Sequence, residues 1–397
     1  MKQANIQGAK GKINERISSI SPSLTLAIES RAKELAKNGE KVISLAAGEP
    51  DFDTPVHIKK AAEKALDAGE TKYTPISGLL DLRKAIAEKL AKENGLNYSP
   101  DQIVVSNGAK HSLFNVFMAL CRKGEEVIIP APFWLSYPEM IKIAGGKPVV
   151  VQCDENNNYK LTPSRFERAI TGKTKAIVIN SPSNPTGIVY SEAELRALAE
   201  VAVEHGIYII SDEIYEKLIY DNLVHVSAGS LSRDIFDLAI TVNGFSKAYA
   251  MTGWRLGYFA GPINIVKAVG AFQSHSTSGP NTFAQFGAIE ALKGSQDCVV
   301  KMARAFAERR DYLYNRLKSI KGILCVKPSG AFYVFPNISA FGMDSISFAA
   351  QLLDKEKLAV VPGAPFGADH NIRLSYACSI ETLKQGMDRL ERFISGL

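Results

Sequence analysis

Residues 176–215 read AIVINSPSNPTGIVYSEAELRALAEVAVEHGIYIISDEIY, and this stretch decides the fold. It opens on a β-branched run, Ala176 to Asn180, and crosses a loop holding two prolines and a glycine. An amphipathic stretch follows from Ser191 to His205, and a second β-branched run, Ile207 to Ser211, closes it. Strand, helical repeat and strand in that order form a βαβ unit with a right-handed crossover and parallel strands.

Outward from this unit the same alternation recurs. Strands are expected over Gln102 to Ser106, Glu126 to Pro130, Lys147 to Val151, Leu238 to Asn243 and Arg255 to Ala260, with helices over Leu113 to Arg122 and Ile263 to Phe272. Seven strands with helices between them predict an α/β class: a large domain with a mostly parallel seven-stranded sheet covered by helices. After Pro280 the pattern changes to long helices, Thr282 to Lys293 and Gln296 to Ile320, then short strands near Ile323 to Val326 and Ala331 to Phe335. This predicts a smaller α+β domain completed by the N-terminal segment, where Ser23 to Lys37 reads as a helix capped by Ser23 and stopped by Gly39. The expected division is 48–290 for the large domain, and 1–47 with 291–397 for the small one. With no Gly/Ser linker between them, the two are expected to share an extensive interface.

The chain has 397 residues, 46% hydrophobic and 22% charged, which excludes a small module, a disordered chain and a fibre. Lys plus Arg exceeds Asp plus Glu by 47 − 41 = 6, and the basic residues are scattered, so no nucleic-acid partner is expected. Five separated cysteines read as reduced thiols, and no apolar run approaches the roughly 18 residues of a membrane span. Without an apolar leader, the expectation is a cytoplasmic protein with no membrane partner.

Several motifs fail. Gly172-Lys173-Thr174 resembles the end of a phosphate loop, but the required earlier glycine is Glu167. No GxGxxG follows a strand, no GxSxG elbow occurs, and the six histidines form no HxxxH pair or His/Cys cluster, so no metal is expected.

In open α/β sheets chemistry gathers beyond the carboxyl ends of the strands. After Ser106 comes Asn107-Gly108-Ala109-Lys110 and a helix, which aims backbone N–H groups at an anion and reads equally as a tight turn. The loop Ser181-Pro182-Ser183-Asn184-Pro185-Thr186-Gly187 holds one asparagine rigidly, or is a plain turn. Asp212 and Tyr215 lie three residues apart after Ser211, although Asp212 also fits a helix N-cap. Lys247, in Gly244-Phe245-Ser246-Lys247-Ala248-Tyr249, sits among apolar residues, where burial yields a nucleophilic, Schiff-base-forming amine; the plainer reading is a snorkelling lysine. A phosphate cradle, a nucleophilic lysine, an acid, a phenol and an amide are together the groups that hold pyridoxal 5'-phosphate.

The series resembles the fold-type I, class I aminotransferases, and most of all their bacterial aspartate aminotransferase subgroup. The likeness runs from Ala47-Gly48-Glu49-Pro50-Asp51-Phe52 through the asparagine loop and Ser246-Lys247 to Asn371-Ile372-Arg373-Leu374-Ser375-Tyr376. It implies that Lys247 is the Schiff-base lysine and proton shuttle and that Asp212 pairs with the pyridine nitrogen. Asn184 and Tyr215 would bond the phenolic oxygen, and Trp134 would stack on the ring. Gly108, Ala109 and Arg255 would hold the phosphate, helped by Tyr73 reaching across from the other subunit of a homodimer with shared active sites. Arg373 and the Gly48 N–H would hold the substrate α-carboxylate. Without the family pattern, Arg373 also reads as an edge-strand ion pair. Gly244 stands where many relatives have a phosphate-binding serine. The stretch 273–278 lacks an arginine for the distal carboxylate, a place that Lys110 would take unless it is a solvated surface lysine. The implied reaction is ping-pong transamination of L-aspartate or L-glutamate with 2-oxoglutarate or oxaloacetate. The rivals are prephenate, aromatic or alanine-type substrates, a β-lyase, and a non-catalytic cofactor-binding module.

Overall fold

The computed structural model describes residues 14–18, 20 and 24–397. Its twelve described strands are β1 (Ile43–Ser44), β2 (Ile103–Ser106), β3 (Glu126–Ala131), β4 (Lys147–Gln152), β5 (Thr174–Asn180), β6 (Tyr208–Asp212), β7 (Ala239–Gly244), β8 (Gly257–Ala260), β9 (Tyr333–Val334), β10 (Leu358–Ala359), β11 (Val361–Pro362) and β12 (Ile372–Ser375). Seven of them form the main sheet in the order β2-β8-β7-β6-β5-β3-β4. Six of the seven run in one direction and β8 runs against them. The link between β7 and β8 contains no crossover helix, and a parallel return would need one. That exceptional link is the segment that carries Lys247.

Apart from the edge strand β4, both faces of the sheet are buried, as a sheet wound with helices requires. Along β5, Ala176 and Val178 pack with the helices Ala109–Leu120 and Ile263–Ser276, while Ile177 and Ile179 pack with the helix Glu192–Glu204. The period of two sorts the side chains between the layers. The helix Glu192–Glu204 begins where the sequence demands: Ser191 and Glu194 form a capping box. The edge strand β2 and β8 are backed by the helices Val56–Asp67, Leu80–Asn94 and Thr282–Lys293.

The remaining strands form a three-stranded antiparallel sheet, β11-β12-β9, and the parallel pair β1-β10. They pack with the helices Asp297–Ser319, Ser345–Glu356 and Ile380–Ser395 around Phe306, Leu313, Phe348, Leu352 and Leu390. The same core takes in Ile214, Tyr215 and Leu218, so the loop after β6 is anchored in it.

The seven strands of the main sheet fall where the sequence places them, with ends moved by a residue or two. Other elements differ. The helix expected from Leu113 starts at Ala109, because its first turn (Lys110, His111, Ser112) is polar and hides the apolar repeat. No strand spans Ile323 to Val326; Leu324 alone bridges to Asn337, and Pro328 follows shortly with no N–H to donate. Of Ala331 to Phe335 only Tyr333–Val334 is strand, Ala331 being left-handed at φ 57. Ser23 lies outside the described residues, and its helix is described from Leu24 to Lys37. Among the described residues no helix is long and apolar enough to cross a membrane.

Gly257, opening β8, is a point of closest approach: a Cβ there would sit 2.2 Å from the Ala109 N and 2.5 Å from the Gly108 C. Gly257→Ala therefore pushes β8 away from the turn that starts the helix Ala109–Leu120. We expect a loss of about 2–3 kcal/mol or more, read as a lower urea midpoint with an unchanged m-value.

Candidate active site

Strands β3, β5, β6 and β7, together with β2, end on one side of the sheet, and the residues after them line a cavity of about 580 Å³. Of the sequence-predicted residues, Gly48, Ala109, Lys110, Trp134, Asn184, Asp212, Tyr215, Lys247, Arg255 and Arg373 all face it. Gly108 lies directly behind Ala109.

One end of the cavity is built for an anion. Gly108 turns the chain at φ 92 into the helix Ala109–Leu120, whose first N–H groups have no side-chain cap. Arg255, left-handed at φ 53, lays its guanidinium over this turn, donating to the Thr252 carbonyl at 2.8 Å and the Asn107 carbonyl at 3.3 Å. A Cβ on Gly108 would lie 2.5 Å from Arg255 Nη2, so the glycine is what lets the cation approach. Lys110 stands beside it at the exposed mouth of the cavity, 4.9 Å from the centre of the Trp134 ring, its ammonium disfavoured by partial desolvation and by Arg255. Gly244 also has a reason. A side chain there would press on the Gly257 Cα at 2.9 Å and the Leu256 carbonyl at 3.1 Å.

Asp212, at the end of β6, is buried, and its Oδ2 accepts from the Tyr137 hydroxyl at 2.6 Å. Burial pushes its carboxyl up to about 6, against the pull of the Tyr137 bond. Asn180 Nδ2 donates to the Asp212 carbonyl at 2.9 Å, and its Oδ1 accepts from the Asn184 N at 2.8 Å. One side chain thus ties the ends of β5 and β6 to the asparagine loop.

Lys247 Nζ donates to the Gly48 carbonyl at 2.6 Å and lies 5.9 Å from the Tyr215 ring and 5.8 Å from the Phe332 ring. Burial lowers its amine to about 8; Glu49 pulls it back up, while Arg373, Arg255 and Lys110 press it further down. An amine so placed is neutral often enough to act as a nucleophile or base. Tyr215 shares a 3.0 Å hydrogen bond with Tyr333, and burial keeps its phenol protonated.

At the other end Arg373 is 3% exposed and donates to the Asn184 Oδ1 at 3.1 Å and the Ala46 carbonyl at 2.9 Å. Both acceptors are neutral, and its Nε has no hydrogen-bond partner. A buried guanidinium stacked 4.4 Å from the Tyr333 ring centre, and bonded only to neutral oxygens, is prepared for a carboxylate.

Tyr73 alone stands apart, 93% exposed and outside the cavity, on a segment held by Thr282 to the Lys72 carbonyl and by Gln285 to Thr74. Three residues of the site are absent from the sequence reading. Asn180 is visible in principle as the polar residue ending β5, and Tyr137 as a phenol one helical turn past Trp134. Tyr333 sits in the apolar run Phe332 to Phe335 and gives no signal.

The sequence profile of the family described as aminotransferase class I and II matches residues 40–390. The chain belongs to the class I and II aminotransferases. An aspartate aminotransferase of Geobacillus stearothermophilus is 50% identical over 388 residues, covering 96% of this chain and 99% of the relative. An aspartate/prephenate aminotransferase of Thermus thermophilus is 45% identical over 385 residues, covering 96% and 98%. Among solved structures, the aspartate aminotransferase from Thermus thermophilus with maleate superposes at a TM-score of 0.93 and 45% identity, covering 96% of this chain and 99% of that one. As an aminotransferase of this family the protein is an enzyme of the α/β, fold-type I class.

The raised Asp212 carboxyl has a consequence for stability. In the fold it binds its proton more tightly than in the unfolded chain, so its ionised form costs stability above about pH 6, and the cost disappears as pH falls towards 4. In ligand-free protein, Asp212→Asn should therefore raise the unfolding free energy at pH 8 by about 2–3 kcal/mol, with the gain fading by pH 4. Denaturation at both pH values checks this; a gain that is the same at both would show that another effect is responsible.

Proposed function

We propose that the protein is a pyridoxal 5'-phosphate-dependent aspartate aminotransferase. It would transaminate L-aspartate or L-glutamate with 2-oxoglutarate or oxaloacetate in a ping-pong sequence, the first keto acid leaving before the second enters. The observation that carries this reading is one cavity holding a lowered amine (Lys247), a buried carboxylate (Asp212) and an anion site at each end. The cofactor fits the first of these, because the turn at Gly108 and Ala109 with Arg255 offers backbone N–H groups and a guanidinium to a phosphate.

In this arrangement Asp212 would pair with the ring nitrogen, Trp134 would lie on the ring face, and Asn184 and Tyr215 would donate to the phenolic oxygen. Pyridoxal phosphate supplies an electron-withdrawing ring that stabilises negative charge at the substrate's α-carbon. Lys247 Nζ, released from the Gly48 carbonyl, takes the α-proton. Arg373, joined by the Gly48 N–H, clamps the α-carboxylate through its fork. Lys110 would read the distal carboxylate from beside Trp134; maleate, held by a solved relative, is likewise a four-carbon dicarboxylate.

The active unit in this reading is a cytoplasmic homodimer in which Tyr73 of the partner subunit reaches the phosphate; its outward display on an ordered segment supports this. The cavity would lie between the large domain, 48–290, and the small one, 1–47 with 291–397. Several relatives bear the name aspartate/prephenate aminotransferase, which favours prephenate, itself a dicarboxylate, as a second acceptor.

The first test is the absorbance spectrum of the cofactor-loaded protein before and after L-aspartate, L-alanine or L-phenylalanine. Aspartate alone should shift the cofactor band, and 2-oxoglutarate should restore it. A band that aspartate does not move would overturn the substrate. Lys247→Ala should lower kcat by at least about a thousandfold. If Lys110 binds the distal carboxylate, Lys110→Ala should lower kcat/KM for aspartate roughly 10–100-fold while changing that for alanine only about twofold; equal losses would remove the role.

A further inference from the structure

The loop after β6 has two faces. Asp212 and Tyr215 point into the cavity, whereas the residues directly after them, Glu213 and Glu216, point away into a closed polar cluster. Glu213 Oε1 accepts from Ser211 Oγ at 2.8 Å, and its Oε2 accepts from Ser227 Oγ at 2.5 Å and from His225 Nε2 at 2.9 Å. Glu216 pairs with Lys89 and accepts from Asn94 Nδ2 at 2.8 Å. Asn94 closes the cluster, donating to Ser227 Oγ and accepting from Lys89, both at 2.8 Å.

Every member comes from one of three places: the helix Leu80–Asn94, the end of β6 with its following turn, or the segment 225–227. The Glu216 N donates to the Glu213 carbonyl and the Glu213 N to the Val242 carbonyl of β7, each at 2.9 Å, so the cluster grips the turn from behind while the sheet holds its backbone. Apolar packing of similar volume often stabilises a fold as well as a buried ionic group does, so stability does not by itself account for the cluster.

Charge accounts for the composition. Two carboxylates and Lys89 leave one negative charge uncompensated, next in sequence to the Asp212 carboxylate. His225 removes it when protonated; the hydrogen that Glu213 requires on Nε2 is present in the neutral tautomer and in the imidazolium alike, and the buried Nδ1 has no hydrogen-bond partner. Burial opposes the imidazolium and Lys89 repels it, but Glu213 and Glu216 prevail and raise its proton affinity. The outer ring of charge is Glu93, near Lys89 and paired with Lys217, and the phenols of Tyr98, Tyr249 and Tyr258 feel the two glutamates. On the cavity side Asp212 faces Tyr137 and Lys247.

We propose that Glu213 and His225 are a positioning pair for Asp212: together they fix the turn that presents Asp212 and Tyr215, and the imidazolium cancels the charge behind the Asp212 carboxylate. The proposal rests on the reading of Asp212 as partner of the cofactor's ring nitrogen. It predicts opposite effects from two near-isosteric changes. His225→Gln leaves Glu213 uncompensated and raises the proton affinity of Asp212; Glu213→Gln removes the adjacent negative charge and lowers it.

The test follows the side-chain carboxyl-carbon (Cγ) resonance of Asp212 against pH in full-length protein carrying ¹³C-labelled aspartate side chains, assigned with Asp212→Asn. The Asp212 midpoint should move up by roughly half to one pH unit in His225→Gln and down by a similar amount in Glu213→Gln. Movement in one direction in both variants, or a lower thermal midpoint with the Asp212 titration unmoved, would reduce the cluster to a structural role and overturn the proposal. Should a variant not fold, the wild-type His225 ¹⁵N shifts decide, since a neutral ring at pH 6.5 also overturns it. Pyridoxal phosphate affinity measured between pH 5 and 8 on the same samples should lose its acid limb at higher pH in His225→Gln. Wild-type protein that binds no pyridoxal phosphate at any pH would refute the cofactor reading separately, with the Asp212 titration still testing the pair.

Discussion

Among the described residues, four cations, Lys110, Lys247, Arg255 and Arg373, face one cavity whose carboxylates are Glu49 and Asp212. Like charges so close repel; water screens the exposed Lys110 and Arg255, but little of it reaches the buried Arg373 and the half-buried Lys247. The rest of the structure can be understood as the means of holding that excess in place. Apart from β4 the sheet is buried on both faces, so the strand ends that carry the loops cannot shift independently. The core around Phe306 and Phe348 takes in Tyr215 and the turn around it, and glycines at 108, 244 and 257 bring backbones close enough for Arg255 to cover the helix start. An enclosure with surplus positive charge is incomplete until anions enter it, and its two cationic ends are suited to a phosphate and to a carboxylate.

Much of this was legible in the sequence because strand ends are legible. Asp212, Asn184, Lys247 and Gly108 each follow a β-branched run, and in a wound sheet the carboxyl ends converge whatever the details of packing. The helix Glu192–Glu204 was equally plain, since Ser191 and Glu194 mark its start by local chemistry. Where local chemistry and periodicity conflicted, the reading slipped: the polar first turn of the helix at Ala109 concealed its beginning, and the run from Ile323 to Val326 has strand-like residues but no partner strand for most of its length.

The residues that escaped notice share a different cause. Tyr137, Asn180 and Tyr333 act on other protein groups rather than facing outward from a recognisable motif; Tyr137 and Tyr333 meet partners distant in sequence, and Asn180 joins Asn184 four residues on to Asp212 thirty-two residues on. Tyr137 meets Asp212 across 75 positions, a pairing set by the order of strands in the sheet and by nothing local. The cluster around Glu213 escaped for the same reason. His225 carries no signal in the sequence, because the glutamates and lysine beside it lie on other elements.

The seats of Lys247 and Arg373 have one more property. Each donates to a main-chain carbonyl of the same short segment, Gly48 for the amine and Ala46 for the guanidinium. A carbonyl belongs to every residue type, so these two acceptors are invisible to side-chain replacement at positions 46 and 48. What inheritance must preserve there is the path of the chain and the room around it, not the identity of any donor or acceptor. A survey of the site made by exchanging side chains would find both cations and pass over the strip of backbone that seats them.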